Sequence, residues 1–319
     1  MNRTLHMADI GGSDVLKLID SPVPKPGPGE LRLRHEAVGV NFIDIYQRTG
    51  RYPPPPQGIL GVEGAGVVEA LGEGVSGFAI GQRVAYAGPP VGAYAELRCL
   101  PASRLIALPD DLSCRRAAAS FLRGLTAHML LFALRPVGPG TSVLVHGGAG
   151  GLGQMLLRWG HNLGARMIAT VGSPAKVALA EAAGADVVVL RRGDWVGAVR
   201  EASGGAGVDL ACDGIGGDTL LATLESLVPF GIATSIGEAG GRVPPVDPDR
   251  LRQVMLSRPS VMAYAADPIR YAAAAADLTA FLRAEPFDPV GAIYPLAEAA
   301  RAHDDLASGR TTGSLLLIP

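Results

Sequence analysis

Hydrophobic and polar positions follow two different patterns along the chain, and the change falls near residue 115. Before that point, short apolar runs separated by glycine and proline predict strands at residues 31–40, 66–71, 83–87, 94–100 and 105–108. Short strands with such punctuation favour a small antiparallel sheet that closes partly into a barrel. Residues 41–48 predict one helical turn, with Asn41 as a candidate cap.

From Ser113 onward, helical and strand patterns alternate. A helical region over residues 113–134, interrupted near Gly124, leads into strands predicted at 143–145, 167–171, 187–190, 208–212, 232–236 and 261–264. The intervening helices are predicted at 152–163, 174–183, 195–202, 219–227 and 250–256. Alternation at this spacing predicts a parallel, doubly wound sheet, so the fold class is α/β.

The C-terminal part of the chain carries two further helical patterns, at residues 269–282 and 296–306, and a last strand at 315–318. Six strands already complete the doubly wound sheet, so we expect this tail to return to the first domain. The sequence therefore predicts a discontinuous domain of residues 1–115 and 268–319. Residues 116–267 form the second domain in this prediction.

The sharpest local signal is a glycine-rich stretch between Thr141 and Gly164. A buried strand leads into glycines, and a helical pattern follows, which is the context that makes a GxGxxG match meaningful. The match is Gly148-Ala149-Gly150-Gly151-Leu152-Gly153. Gly148 and Gly150 would allow a tight turn and close approach of phosphates, and Gly153 would let the helix and strand pack closely. The stretch predicts that the unpaired amides of the helix N-terminus bind a dinucleotide pyrophosphate; the alternative is a glycine-rich loop that binds nothing.

The residues after the second strand of this sheet bear on the choice of dinucleotide. NAD enzymes place an acidic residue there to accept the ribose 2′-hydroxyl. This chain has Gly172 and Ser173 instead, with Lys176 close behind and Arg191 at the end of the third strand. The absent acid and the nearby cations favour NADP; the alternative is that the cations are solvated surface charges.

Composition and charge exclude several classes of protein. The net charge is −2 without a lysine- or arginine-rich run, which argues against nucleic acid as a partner. No apolar run reaches the length of a membrane span, and the N-terminal residues lack a signal-peptide core, so we expect a cytoplasmic protein. Three widely spaced cysteines form neither a disulfide framework nor a zinc ribbon.

Several short motifs together resemble one known family. They are NFIDIY at 41–46, GRYPPPP at 50–56, GVEGAGVV at 61–68, AAASFLRGLTAH at 117–128, the glycine-rich loop, RPS at 258–260, and the ending SLLLIP. In this order they resemble the NADPH:quinone oxidoreductases, the zeta-crystallin-like branch of the zinc-free medium-chain dehydrogenases/reductases, over essentially the whole chain. The resemblance implies a GroES-like, partly closed β-barrel catalytic domain, a Rossmann domain that binds NADPH, and a homodimer.

The same resemblance argues against a catalytic metal. Zinc alcohol dehydrogenases of this superfamily have cysteine at the position of Asn41, and Gly-His-Glu where this chain has Gly61-Val62-Glu63. Two zinc ligands are therefore missing, and a catalytic zinc needs about three protein ligands. We predict no metal site and a structural role for Glu63.

The resemblance also implies roles for individual residues. Asn41 and Tyr46 are expected beside the nicotinamide and the substrate, and Thr126 at the border of the nicotinamide pocket. Each has a simpler alternative: a helix cap, a core aromatic residue and a packing residue, respectively. Cofactor contacts are expected from residues of the turn, of the strand ends and of the C-terminal segment: Gly151, Leu152, Gly153, Gly172, Ser173, Lys176, Ser235, Ile236, Gly237 and Arg310. Leu190 replaces a tyrosine that the family often has at the adenosine pocket, which would weaken NADPH binding unless Arg191 compensates.

The activity implied is hydride transfer from NADPH to a quinone, with a small-molecule acceptor in place of any macromolecular partner. One alternative is a 2-alkenal or enoyl reductase, because Tyr52 occupies a position like that of a proton-donating tyrosine in some enoyl reductases. A second alternative is a non-catalytic, crystallin-like protein that binds NADPH. The expected homodimer would form through the edge strand of the parallel sheet, predicted from Val261 to Tyr264.

Overall fold

The structure, a computed structural model, describes all 319 residues. It divides them into two compact units. The first unit comprises Met1–Leu125 and Val261–Pro319, and the second comprises Thr126–Ser260. The sequence prediction instead placed the boundaries at 115/116 and 267/268, about ten and seven residues away.

The strands are, in chain order, β1 Asn2–Met7, β2 Leu16–Ser21, β3 Glu30–Val40, β4 Glu63–Leu71, β5 Arg83–Ala87, β6 Leu97–Pro101, β7 Ile106–Ala107, β8 Ser142–His146, β9 Arg166–Val171, β10 Val187–Leu190, β11 Val208–Asp213, β12 Leu227–Ser235, β13 Met255–Ser257, β14 Val290–Pro295 and β15 Ser314–Ile318. The α-helices are α1 Phe42–Arg48, α2 Cys114–Ala118, α3 Phe121–His128, α4 Gly151–Asn162, α5 Val177–Ala182, α6 Trp195–Ala202, α7 Gly217–Glu225, α8 Val261–Ala266, α9 Pro268–Ala284 and α10 Ala299–Ala307. A π-helical segment, Met129–Leu134, follows α3.

The first unit is built on a seven-stranded sheet in the order β14-β15-β3-β4-β5-β7, with β6 paired to β3. All its pairings are antiparallel except that of β14 with β15. The long strand β3 pairs with three neighbours and buries Leu31 and Leu33 completely. The antiparallel sheet expected from the short strands is confirmed.

The second unit is a six-stranded, wholly parallel sheet in the order β10-β9-β8-β11-β12-β13. Numbered within this unit, the order is 3-2-1-4-5-6, the doubly wound arrangement that the alternating pattern predicted. The direction of strand progression reverses between β8 and β11, and ligands of such sheets bind outside the carboxyl ends of the strands at this point.

The predicted sixth strand at 261–264 is wrong. Residues from Val261 to Tyr264 begin helix α8, which belongs to the first unit, and the sixth strand is β13, Met255–Ser257. The helix predicted at 250–256 is wrong for the same reason: a 3₁₀ turn at Pro248–Leu251 precedes the strand. Apolar runs of four to six residues fit either element, because periodicity needs more residues to distinguish them.

The helical region that begins after Ser113 is interrupted at residues 119–120, between α2 and α3, and not near Gly124. Ser113 does act as the N-cap, since its side chain accepts a hydrogen bond from the amide of Arg116. Gly124 lies inside α3, where an added Cβ would come within 2.2 Å of Leu278 Cδ1. Glycine at this position serves the close packing of α3 against α9.

Candidate active site

The glycine-rich turn lies at the carboxyl end of the central strand β8, between His146 and the start of α4. The amide of Gly150 donates to the carbonyl of Gly147 at 2.9 Å, which closes the turn, and the amide of Gly148 donates to Thr170 O of the next strand at 3.0 Å. The turn residue in the left-handed region is Gly147, with φ of +68°, and neither Gly148 nor Gly150 has a positive φ. Helix α4 therefore begins with its free amides directed beyond the sheet edge, where an anion binds favourably.

Two glycines of the match are required by close approach. A Cβ on Gly153 would lie 2.2 Å from the carbonyl oxygen of Gly147, and one on Gly148 would lie 2.8 Å from Ala169 Cβ. Gly153 thus packs the helix against the turn itself, whereas the sequence prediction had it packing helix against strand. Gly151 and Leu152, the first residues of α4, are half-buried. Residues Gly147–Gly153 thus form a turn whose glycines leave the backbone accessible, here called the glycine cradle, and such turns bind a diphosphate.

The neighbouring strand ends bring basic residues to the same edge of the sheet. Gly172 and Ser173 follow β9, and Lys176 ends the 3₁₀ turn Pro174–Lys176. The amide of Arg191, just after β10, donates to Val171 O at 2.9 Å, and Leu190 pairs with Val171. No acidic side chain occupies residues 171–176. The side chain of Ser173 makes no capping hydrogen bond to the 3₁₀ turn that follows it.

The segment after β12 contains the remaining predicted contacts of this unit, Ser235, Ile236 and Gly237. The amide of Ile236 donates to Asp213 O at 2.8 Å, which ties the ends of β12 and β11 together. Ser235 is buried, and its Oγ has no hydrogen-bond partner. A buried hydroxyl without a partner costs stability unless a ligand or water completes it. This orphaned hydroxyl and the glycine cradle both fit a bound dinucleotide.

A buried polar network joins three strand ends beneath this edge. His146 bridges two threonines: its Nδ1 lies 2.7 Å from Thr170 Oγ1, and its Nε2 lies 2.9 Å from Thr223 Oγ1. The hydroxyl of Thr223 in turn donates a hydrogen bond to Asp213 Oδ2 at 3.0 Å. Asp213 Oδ1 accepts the amide of Gly216 at 2.9 Å. Because Thr223 donates to Asp213, it must accept from Nε2–H, and Nδ1 accepts from Thr170. Burial lowers the pKa of His146 to about 4, so the ring is neutral, as expected for a satisfied polar residue.

In the first unit, the predicted catalytic residues surround the start of α1. Asn41 follows β3 directly, and its backbone amide donates to Asp44 Oδ2 at 2.8 Å. The rings of Tyr46 and Tyr52 meet edge to face at 5.2 Å between centroids, and Phe42 lies 6.0 Å from Tyr46. The amide of Tyr52 donates to Tyr46 O at 3.0 Å. The structure thus brings the rings of Tyr46 and Tyr52 into contact on α1 and just after it, and Asn41 precedes the same helix.

Glu63 is the charged residue at the centre of this region, and it is completely buried. Its Oε1 accepts hydrogen bonds from Asn41 Nδ2 at 2.8 Å and Arg123 Nη1 at 2.9 Å, and its Oε2 accepts the amide of Leu122 at 2.7 Å. Burial raises the pKa of Glu63, while the charge of Arg123 and the donated hydrogen bonds oppose that rise. Sequence reasoning missed Arg123; its only signal was a charge inside the largely apolar run FLRGLTAH.

Two predicted site residues lie outside these groups. Thr126 is buried in α3 and belongs to the second unit, whereas Arg310 is exposed in the loop that precedes β15 of the first unit. No group of three or more histidine, cysteine, aspartate or glutamate side chains is arranged to hold a metal ion. None of the helices has the length and apolar character needed to cross a membrane.

Comparisons with known proteins relate this geometry to characterised chemistry. The Alcohol dehydrogenase GroES-like domain family matches residues 27–110, and the Zinc-binding dehydrogenase family matches residues 151–276. A quinone oxidoreductase of Pseudomonas aeruginosa is 40% identical over 326 residues, 100% of both chains. A 2-haloacrylate reductase of a Burkholderia species is 37% identical over 97% of this chain and 96% of its own. The structure of Escherichia coli quinone oxidoreductase complexed with NADPH is similar with a TM-score of 0.94 at 36% identity, covering 100% of both chains.

Proposed function

The chain belongs to the quinone oxidoreductase family of the medium-chain dehydrogenases/reductases, and on that basis we propose that it transfers a hydride from NADPH to a quinone. The observation that carries the proposal is the carboxyl edge of the parallel sheet. There the glycine cradle at Gly147–Gly153 adjoins strand ends with Lys176 and Arg191 and without an acidic residue. The diphosphate of a dinucleotide fits the glycine cradle. Next to Lys176 and Arg191, the ribose 2′-phosphate of NADPH is favoured over the free 2′-hydroxyl of NADH.

The residues that would hold NADPH follow from this arrangement. The backbone from Gly148 to Gly153, including Gly150, Gly151 and Leu152, would bind the diphosphate. Ser173, Lys176 and Arg191 would surround the 2′-phosphate, next to the glycine at 172. The orphaned hydroxyl of Ser235, with Ile236 and Gly237, would bind the ribose on the nicotinamide side. When bound, NADPH supplies the hydride, and the protein orients donor and acceptor. Arg310 is retained as a proposed cofactor contact on the resemblance alone.

The cluster around Asn41 would receive the acceptor. Planar rings pack well against aromatic side chains, and the ring of Tyr46 lies between those of Phe42 and Tyr52 in sequence and contacts each of them. A quinone that accepts a hydride acquires negative charge on an oxygen, which hydrogen-bond donors stabilise. The hydroxyl of Tyr46 and the second N–H of Asn41 Nδ2 are proposed as those donors. Thr126 is proposed to border the nicotinamide.

A second candidate function is reduction of an activated carbon–carbon double bond. The relative named 2-haloacrylate reductase favours it, and Tyr52 lies in the aromatic cluster with a phenolic proton to deliver. Unlike quinone reduction, this reaction needs a proton at the carbon next to the activating group. A proton donor directed at that carbon is therefore needed only in the second reaction, and Tyr52 is proposed as that donor.

A substrate panel tests the proposal. Purified protein is mixed with NADPH or NADH and with 1,4-benzoquinone, 9,10-phenanthrenequinone, a 2-alkenal or a 2-haloacrylate, and loss of reduced nicotinamide is followed by absorbance. We expect turnover with NADPH and a quinone. Tight NADPH binding without turnover of any acceptor would contradict the proposal and favour a non-catalytic role. In Tyr52→Phe, retained quinone reduction with lost reduction of the alkenal or haloacrylate would establish the second activity beside the first.

We also propose a homodimer formed through the free edge of β13, which replaces the interface first expected at 261–264. Strand β13 ends the parallel sheet, and one of its edges has no partner within the chain. Met255 on this strand is 45% exposed, and the neighbouring Phe230 is 78% exposed with φ of +65°. An exposed aromatic residue held in the left-handed region is costly in a free monomer, and unpaired strand edges favour pairing.

A further inference from the structure

The peptide at Val40–Asn41, where β3 enters α1, is held by two buried charged side chains. Arg123 Nη2 donates to Val40 O at 2.8 Å, and Arg123 Nη1 donates to Glu63 Oε1 at 2.9 Å. The same Glu63 oxygen accepts Asn41 Nδ2 at 2.8 Å. Both the main chain before Asn41 and its side-chain amide are therefore tied to one ion pair.

The hydrogen-bond chemistry fixes how the amide is turned. Every polar group that contacts Glu63 is a donor: the guanidinium, a backbone N–H, and the Asn41 side chain. The guanidinium of Arg123 on one carboxyl oxygen and the N–H of Leu122 on the other are donors in any orientation of Asn41, and both stabilise the ionised form, so Glu63 is a carboxylate. A carboxylate cannot donate, so Asn41 must direct its nitrogen toward it and its oxygen elsewhere.

The surrounding chain is shaped to accommodate this carboxylate. A Cβ on Gly39 of β3 would lie 2.2 Å from Glu63 Oε1, so only glycine leaves room for the side chain. The amide of Leu122, in the first turn of α3, donates to the other oxygen, which places negative charge at a helix N-terminus. Strand β3, Asn41 after it and the start of α3 thus converge on Glu63 of β4. Buried ion pairs contribute little net stability compared with apolar residues of similar volume, so their placement calls for another explanation.

We propose that Glu63 and Arg123 are positioning residues, which hold the carboxamide of Asn41 in the single orientation needed beside the bound ring. The proposal rests on the proposed function, since it assigns Asn41 a place at the reacting rings. It assigns neither Glu63 nor Arg123 a contact with substrate. Both act through Asn41, so their substitution should change catalysis only while Asn41 is present.

The first experiment needs no substrate. The chain contains only three asparagines, Asn2, Asn41 and Asn162, so protein labelled with [¹⁵N]asparagine gives three side-chain amide pairs, and Asn41→Ala assigns one of them. In the unsubstituted protein we expect the Asn41 pair to exchange slowly with solvent. Glu63→Gln should shift that pair and speed its exchange, because a glutamine cannot accept from all three donors. Tyr86→Phe is the matched control: it removes a buried hydroxyl that bonds Arg98 and His35 and does not contact Asn41.

The second experiment is a double-mutant cycle with NADPH and a quinone. We expect Glu63→Gln to lower kcat by about 10- to 100-fold, as small misplacements in a site do, and to leave the NADPH dissociation constant within about two-fold. In the Asn41→Ala background, the same substitution should lower kcat by less than about three-fold, since coupled residues are not additive. Arg123→Lys, which keeps the charge and loses the second hydrogen bond, provides a milder variant should Glu63→Gln fail to fold.

Different failures have different meanings. An Asn41 amide pair that is unchanged in both Glu63→Gln and Arg123→Lys overturns the positioning role. Losses of kcat that multiply across the cycle, or that Tyr86→Phe reproduces at equal thermal stability, also overturn it. If the unsubstituted protein reduces no quinone, the proposed function fails, and the amide spectra still decide whether the ion pair holds Asn41.

Discussion

Substitution of Gly153 by alanine should separate cofactor binding from folding. The new Cβ would lie 2.2 Å from Gly147 O and 2.8 Å from the Cα of Gly148, both backbone atoms that no side-chain rotation can move. A comfortable carbon–oxygen contact is about 3.3 Å, so the turn must shift by about 1 Å relative to α4. Overpacking of this kind costs about 1–3 kcal/mol, and it displaces the amides that would bind the diphosphate. We expect the dissociation constant of NADPH to rise about 10- to 100-fold, which corresponds to a loss of about 1.4–2.7 kcal/mol in binding free energy.

The assay is a fluorescence titration with NADPH beside thermal unfolding. Gly160→Ala, later in the same helix, is the matched control because its Cβ would meet the flexible end of Met167, with Sδ at 2.4 Å, and not the turn. Both substitutions gain the same helix propensity, about 1 kcal/mol. The clash with Met167 should make Gly160→Ala lower thermal stability despite that gain, while the dissociation constant of NADPH stays within about two-fold. Equal NADPH affinity in Gly153→Ala and the unsubstituted protein would refute the assignment of this turn to the diphosphate.

Three further predictions test other parts of the molecule. Lys176→Met should raise the dissociation constant of NADPH by about ten-fold, because one hydrogen bond to a charged group is lost, and should leave the dissociation constant of NADH unchanged. Equal losses of affinity for both dinucleotides would contradict a contact with the 2′-phosphate. Phe230→Glu should give a monomer by light scattering after size-exclusion chromatography if β13 forms the dimer, and a persistent dimer would place the interface elsewhere. The free energy of unfolding, measured by denaturant titration, should fall as the pH drops from about 6.5 to 4. The reason is that burial lowers the folded-state pKa of three histidines, to about 3 for His35 and His303 and to about 4 for His146. As the pH falls, the unfolded chain binds these protons before the folded one does, and each lowers the free energy of unfolding by up to about 1.4 kcal/mol per pH unit. Asp44 acts in the opposite direction, because burial raises its folded-state pKa to about 7 and the folded protein therefore binds that proton first. A free energy of unfolding that does not change over this pH range would contradict the buried neutral rings.

The parallel sheet could be predicted from sequence because its strands are long apolar runs separated by helices that bury one face. Val187–Leu190 and Trp195–Ala202 have the predicted bounds. Four strands were missed: β1, β2, β13 and β14. Strand β2 buries only Leu16 fully, and its exposed positions leave no alternation to detect. The same limit explains β13, which has three residues and none of them fully buried.

The candidate site divides in the same way. The glycine turn was visible because strand, turn and helix are contiguous in sequence, although Gly147, the residue in the left-handed region, lies one residue before the GxGxxG match. The association of Glu63 with Arg123 was not visible, because 60 residues separate them and pairing of distant charges leaves no periodic trace. The role of Gly39 also depends on a neighbour, 24 residues away, that only the fold brings close.

Charge balance links the missing metal ligands to the ion pair. Asn41 and Val62 stand where the zinc enzymes of the superfamily have cysteine and histidine, yet the glutamate next to them is retained as Glu63. A fully buried carboxylate needs a positive partner, because its desolvation cost is several kcal/mol. Here the guanidinium of Arg123 provides that charge at 2.9 Å. Glu63 therefore has a cation of its own, and the pair is available to orient the amide of Asn41.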